Sequence, residues 1–276
     1  MRRRIVATCV VLVLWATGSA YAAGPVYYLA LGDSLSRGIQ PSRDGVLVET
    51  RQGYVDDLFA FYRVRHPGLR LAKLGCSGET TTTMIAGGSC AYGAGSQLAE
   101  AIEFLHTHRV GLVTLTIGGN DIDHCIGAAG IDQACVLNGL GAVAADLPRI
   151  VGALRAAAGP GVAIVAMNYY DPFLALWRLG AGGQLLANES LQATLVFNGL
   201  LENVYQQFGV PVADVAKAFR TTDFTPVQAF DLPLNVLATL VWTWMGAAPP
   251  VGPDIHPNAF GYAVIAGAFV RTIGSY

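Results

Sequence analysis

Charge is scarce in this sequence. Only 13% of its 276 residues are Asp, Glu, Lys or Arg, and the formal net charge is −2. Beyond Arg2, Arg3 and Arg4 no basic cluster occurs, which excludes the electrostatic footprint of a nucleic-acid binder. No Cys-x-x-Cys pair is present, which argues against a metal site built on thiolates. The run Gly-x-Ser-x-Gly is missing as well, so the usual strand-to-helix elbow that it marks is excluded. No internal repeat or low-complexity linker divides the chain. What it has in quantity is apolar surface, 53% of residues. That is ample for one large core, and residues 23–276 are expected to form a single domain.

The first residues read as a targeting segment. The three arginines precede a short apolar stretch, Ile5 to Ala16, and Ala20-Tyr21-Ala22 has the small-x-small pattern of a cleavage site. The apolar run is short for a membrane span, which needs about 20 residues. Residues 1–22 are therefore expected to be a signal peptide, cut before Ala23 and taking Cys9 with it. The mature chain would be secreted or held at the cell envelope. Cys76, Cys90, Cys125 and Cys135 remain, and an even number in an exported chain argues for disulfides. Several pairings are open; Cys76–Cys90 with Cys125–Cys135 is the simplest, each closing a loop rich in Gly and Ala.

Short, nearly continuous apolar runs at Val26–Leu31, Leu69–Leu74, Val110–Ile117, Val162–Met167 and Val210–Val215 predict five strands. Helical periodicity predicts helices over Tyr54–Val64, Ser96–His106, Leu140–Ala157, Leu185–Phe208 and Ala259–Ile273. Strands apolar on both faces, separated by amphipathic helices, describe an α/β fold with a covered parallel sheet. The stretches 38–53, 87–95, 123–139 and 217–253 are left as loops or long connections. Ligands of such sheets bind beyond the carboxyl ends of the strands.

Those ends carry suggestive residues. The first strand runs into Gly32-Asp33-Ser34-Leu35-Ser36, where a tight turn can expose the Ser34 hydroxyl and its own N–H. The second leads to Gly75-Cys76-Ser77-Gly78, whose Gly78 N–H is a candidate oxyanion donor. The third ends in Gly118-Gly119-Asn120-Asp121, where the Asn120 amide can face a developing negative charge. Near the C-terminus, Asp254-Ile255-His256-Pro257 places an imidazole just before the last helix. Of the other histidines, His66, His106 and His108 sit at helix ends, and His124 lies in a cysteine-bounded loop. Each segment alone has an ordinary reading as a turn. Four in order, most of them just after a predicted strand, are a joint signal.

These segments resemble, in the same order, the blocks of the SGNH (GDSL-type) hydrolase family, over residues 28–262. The resemblance is greatest to its secreted actinobacterial lipases and esterases. It implies a three-layer αβα sandwich on a flavodoxin-like, five-stranded parallel sheet. It also implies hydrolysis of carboxylic esters with no metal or cofactor. Ser34 corresponds to the nucleophile, His256 to the base, and Ser34, Gly78 and Asn120 to the oxyanion hole. One departure concerns the acid: the family commonly has it three residues before the histidine, where this chain has Pro253. Asp254, or a backbone carbonyl near Pro253, is left to orient the ring. Lys73 stands where the second block often has a polar amide, and it is assigned no role.

The expected partner is a small-molecule or lipid ester, met by a monomer with transient contact at lipid surfaces. Residues 217–253 are rich in Phe, Leu and Trp, notably Phe219, Phe224, Phe230, Trp242 and Trp244. Most are expected to pack on the sheet and the rest to line an acyl groove, favouring fatty-acyl esters. Acetylated carbohydrates are the alternative substrates, and a non-catalytic lipid or glycan binder is the alternative function.

Overall fold

The computed structural model describes residues 24–274. The predicted signal segment therefore lies outside the described residues. Five strands form one parallel sheet: β1 (Tyr27–Gly32), β2 (Arg70–Lys73), β3 (Val110–Thr116), β4 (Ala163–Met167) and β5 (Val212–Ala213). They lie in the order β2-β1-β3-β4-β5. This is the flavodoxin-like arrangement, in which the chain reverses direction across the sheet at β1 and β3. The central strands are apolar on both faces because both faces are covered: Tyr28, Leu29, Ala30 and Leu31 are all fully buried, as are Leu112, Val113 and Leu115.

The helices are α1 (Ser34–Arg37), α2 (Tyr54–Arg63), α3 (Thr81–Ala86), α4 (Gln97–Thr107), α5 (Gln133–Ala158), α6 (Ala181–Gln207), α7 (Val215–Ala218), α8 (Leu234–Trp242) and α9 (Ala259–Ile273). α2 packs on α9, where Tyr54 stacks on Phe269 with ring centres 4.9 Å apart. α5 packs between α4 and α6.

The boundaries differ from the sequence reading in ways with local causes. β5 is short because Asp214 turns the chain into α7, its carboxylate accepting the Lys217 N–H. α5 starts at Gln133, seven residues before the predicted Leu140, because Asp132 caps it by accepting the Cys135 N–H. Its Gly139 packs against the Asp121 carbonyl, where a Cβ would fall 2.1 Å from the oxygen. Gly139, which lowers the local helix propensity, is there for a close approach to the loop after β3. The 217–253 connection is also ordered: it holds α7, a short ribbon pairing Pro226–Val227 with Leu232–Pro233, and α8.

Candidate active site

β1 ends against β3. Gly32 has φ +120° and passes so close to Thr116 that a Cβ would fall 1.8 Å from its carbonyl oxygen. The next residue, Asp33, caps α1, its Oδ1 accepting the Leu35 N–H at 3.0 Å. The same Oδ1 accepts the Thr116 hydroxyl at 3.0 Å, and Oδ2 accepts the Tyr169 hydroxyl at 2.7 Å. One carboxylate thus ties the turn to the ends of β3 and β4. Burial pushes the Asp33 carboxyl up from 3.8 to about 6, against the lowering effect of these hydrogen bonds. Ser34, the first residue of α1, is left with its hydroxyl facing His256.

The His256 Nε2 lies 2.8 Å from the Ser34 Oγ, and its Nδ1 lies 2.8 Å from the Asp254 Oδ1. That oxygen also accepts the His256 backbone N–H at 3.0 Å. The ring's partner is therefore the Asp254 carboxylate. Donating Nδ1–H to it fixes the tautomer in which Nε2 accepts the Ser34 proton. Burial raises the Asp254 carboxyl, but the ring N–H, ring charge and backbone N–H of His256 together hold it below the usual carboxylate value. Ser34 and His256 are both buried. Their loop is anchored behind the site: Asp254 N–H donates to Trp244 O, Trp244 N–H to His256 O and Asn258 N–H to Trp242 O, with Thr243 bridged to Pro257. Asn258 then caps α9.

The other two predicted residues sit on neighbouring loops. One Asn120 amide N–H donates to the Glu79 carbonyl at 2.9 Å, leaving the second for a ligand. Gly78, at φ +78°, lies on the exposed loop between β2 and α3. Asn120 lines the pocket around Ser34, together with Asp33, Leu35, Gly119, Asp123, Tyr169, Tyr170, Pro172, Ile255 and His256; Gly78 does not. Both loops are tied down covalently: Cys76 is bonded to Cys90, and Cys125 to Cys135. His124 touches the second disulfide, with Nε2 3.3 Å from the Cys135 Sγ, while its Nδ1 lies 3.1 Å from the Asn120 carbonyl. These three residues cluster like metal ligands, but sulfurs joined to each other present no thiolate.

Several contributors have no motif in the sequence. Gln97 accepts the Gly32 N–H at 2.5 Å, and its amide donates to the Gly32 carbonyl at 2.9 Å and to the Glu79 carboxylate at 2.8 Å. Gly32, Gln97, Glu79 and Asn120 thereby form one polar chain from the end of β1 to the loop after β3. Asp121 accepts the backbone N–H and hydroxyl of Thr81, docking α3 beneath it. A polar residue at a predicted helix start is the only sequence signal for Gln97. Lys73 faces away, donating to Asp56 at 2.7 Å. The expected acyl groove is not found in the 217–253 connection, since none of its apolar side chains lines the Ser34 pocket. Phe219 is buried instead, stacked on Tyr170 at 4.3 Å and edge-on to Trp242. The space enclosed around Ser34 is about 30 Å³.

Comparison with curated proteins returns no match. Solved structures do resemble the chain. The extracellular lipase of Streptomyces rimosus superposes with a TM-score of 0.61 at 19% identity, over 90% of this chain and 99% of that one. The phospholipase A1 of Streptomyces albidoflavus NA297 gives 0.52 at 20% identity, over 92% and 99%. A variant of Axe2, an acetyl xylan esterase from Geobacillus stearothermophilus, gives 0.55 at 18%, over 91% and 95%. Likeness at this identity speaks for the fold. The model of the GDSL-like Lipase/Acylhydrolase family matches residues 30–264, so the chain belongs to that family and is a carboxylic ester hydrolase.

Proposed function

We propose that this is a secreted ester hydrolase acting through a covalent acyl-enzyme on Ser34. The observation that carries the reading is the hydrogen-bonded line Ser34 Oγ–His256 Nε2, His256 Nδ1–Asp254 Oδ1, 2.8 Å at each link. Ser34 Oγ attacks the ester carbonyl while Nε2 takes its proton, and the imidazolium is stabilised by Asp254. The proton passes to the leaving alcohol. Water, deprotonated by the same nitrogen, then releases the acid and restores Ser34. The oxyanion of both tetrahedral intermediates is received by the Ser34 and Gly78 N–H groups and the free N–H of Asn120. Two disulfides fit an oxidising compartment.

The substrate reading moves with the pocket. About 30 Å³ of space around Ser34 suits a short acyl group, and Phe219 of the 217–253 connection is occupied in packing on Tyr170. This favours short-chain esters, including acetylated carbohydrates, over long fatty-acyl esters. Hydrolysis of p-nitrophenyl esters from acetate to palmitate, by wild type and Ser34→Ala, tests both parts. We expect turnover to fall at least ~10³-fold in the variant and to be highest on the shortest esters. Equal activity in both proteins would remove Ser34 as nucleophile, and inactivity of both would favour the binder.

A further inference from the structure

Five aspartates surround the site, and four of them are engaged. Asp33 accepts from Leu35, Thr116 and Tyr169; Asp121 from Thr81; Asp171 from Phe173 and Ser190; Asp254 from His256. Asp123 differs. It opens the short 3₁₀ turn after Asn120 and lines the Ser34 pocket. Its backbone carbonyl accepts the Ile126 N–H, but its carboxylate has no hydrogen-bond or ion-pair partner among the described residues. The pocket is shaped to leave it room: a Cβ on Gly119 would lie 3.0 Å from the Tyr169 ring and 3.4 Å from the Asp123 Oδ2. Neither lysine nor arginine lines the pocket.

A carboxyl placed this way and left without a protein partner is suited to a ligand's polar group. Resting on the ester-hydrolase reading above, we propose that Asp123 is a specificity-determining residue. It would hydrogen-bond a hydroxyl carried by the substrate close to the scissile carbonyl, so that hydroxylated esters are preferred to their alkyl counterparts. Burial, and then the charges of Asp33, Asp171 and Asp121, push the Asp123 carboxyl up from 3.8 to about 8. In neutral solution it is therefore mostly uncharged, and both gives and takes a hydrogen bond as an alcohol does. The hydroxyl belongs to the alcohol or the acyl part, and matched esters tell these apart.

The test compares kcat/KM for glycerol monoacetate against propyl acetate, and for ethyl glycolate against ethyl propionate, each corrected for its alkaline hydrolysis rate. In wild type the hydroxylated ester of at least one pair is favoured about tenfold. Asp123→Leu, similar in shape but apolar, removes that preference chiefly through KM, while Asp123→Asn retains most of it. Asp123→Ala replaces the Leu variant if the latter fails to fold. A wild-type ratio near one in both pairs, or ratios unchanged in the variants, would overturn the proposal. Glycine ethyl ester is run beside ethyl glycolate, and a preference over ethyl propionate that the variants lose only for it would replace the hydroxyl by an ammonium and overturn the proposal. If Ser34→Ala hydrolyses all these esters as fast as wild type, the ester-hydrolase mechanism on Ser34 has failed, and not merely the role of Asp123.

Discussion

The two sides of the catalytic pocket are held by different means. The nucleophile's side is built into the sheet: Gly32 lies against β3, Gln97 clamps its peptide, and Asp33 gathers hydrogen bonds from three segments in the interior. The oxyanion side stands on loops beyond the sheet, where Gly78 is exposed and each loop carries a disulfide. Buried hydrogen bonds can fix the first because its residues lie at strand and helix ends inside the core. The second has little core of its own, so covalent closure supplies the constraint. The two sides meet through the Gln97 amide, which bonds both Gly32 and Glu79, and through the Cys76 N–H, which donates to the Gly32 carbonyl.

This contrast can be broken from either side. The largest effect is expected at Asn120, whose free N–H the proposed mechanism assigns to the forming oxyanion. Asn120→Ala should lower kcat on p-nitrophenyl acetate by ~10²–10³-fold, about 3–4 kcal/mol, with little change in KM. A purely structural asparagine would shift the melting temperature instead. Next comes the covalent side. Replacing Cys76 and Cys90 with serine opens a loop of sequence separation 14 and should lower unfolding free energy by about 3 kcal/mol in denaturant titrations. If kcat survives that change, the loop is positioned by the hydrogen bond between Asn120 and Glu79 rather than by the staple.

The smallest effect belongs to the buried side. Asp33 holds its proton more tightly in the folded protein, its carboxyl lying at about 6 against 3.8. Its contribution is thus fully favourable below about pH 4 and is lost as pH rises through 6. Comparing Asp33→Asn with wild type by urea unfolding, the variant should gain about 2–3 kcal/mol relative to wild type between pH 4 and pH 7. A flat difference across that range would mean that Tyr169, Thr116 and the Leu35 N–H hold the carboxylate ionised throughout.

Much of this was legible in the order of residues, because strands buried on both faces write themselves as continuous apolar runs. Val110–Ile117 and Val26–Leu31 fall within about one residue of β3 and β1. Ser34, Asn120, His256 and Asp254 were legible because each follows or precedes an element boundary, where local turn chemistry is visible. Asp33, Gln97, Tyr169 and Asp123 were not. Their roles come from pairings across the fold, such as Tyr169 with Asp33, 136 residues apart, for which no local pattern exists. The 217–253 connection was legible only in part, for a related reason. Composition there registers apolar surface but not its direction: Phe219 packs on Tyr170, Phe230 is exposed, and no residue of the stretch lines the pocket.

The proposed base and nucleophile also belong to parts of the chain with separate supports. Ser34 rests on the first strand, whereas His256 is borne on a few backbone hydrogen bonds to residues 242–244, at the end of α8. Opening that short ladder would carry the imidazole away while the nucleophile's turn stayed folded. Loss of catalysis and loss of structure would then be separable events, the first needing only a local opening of this loop.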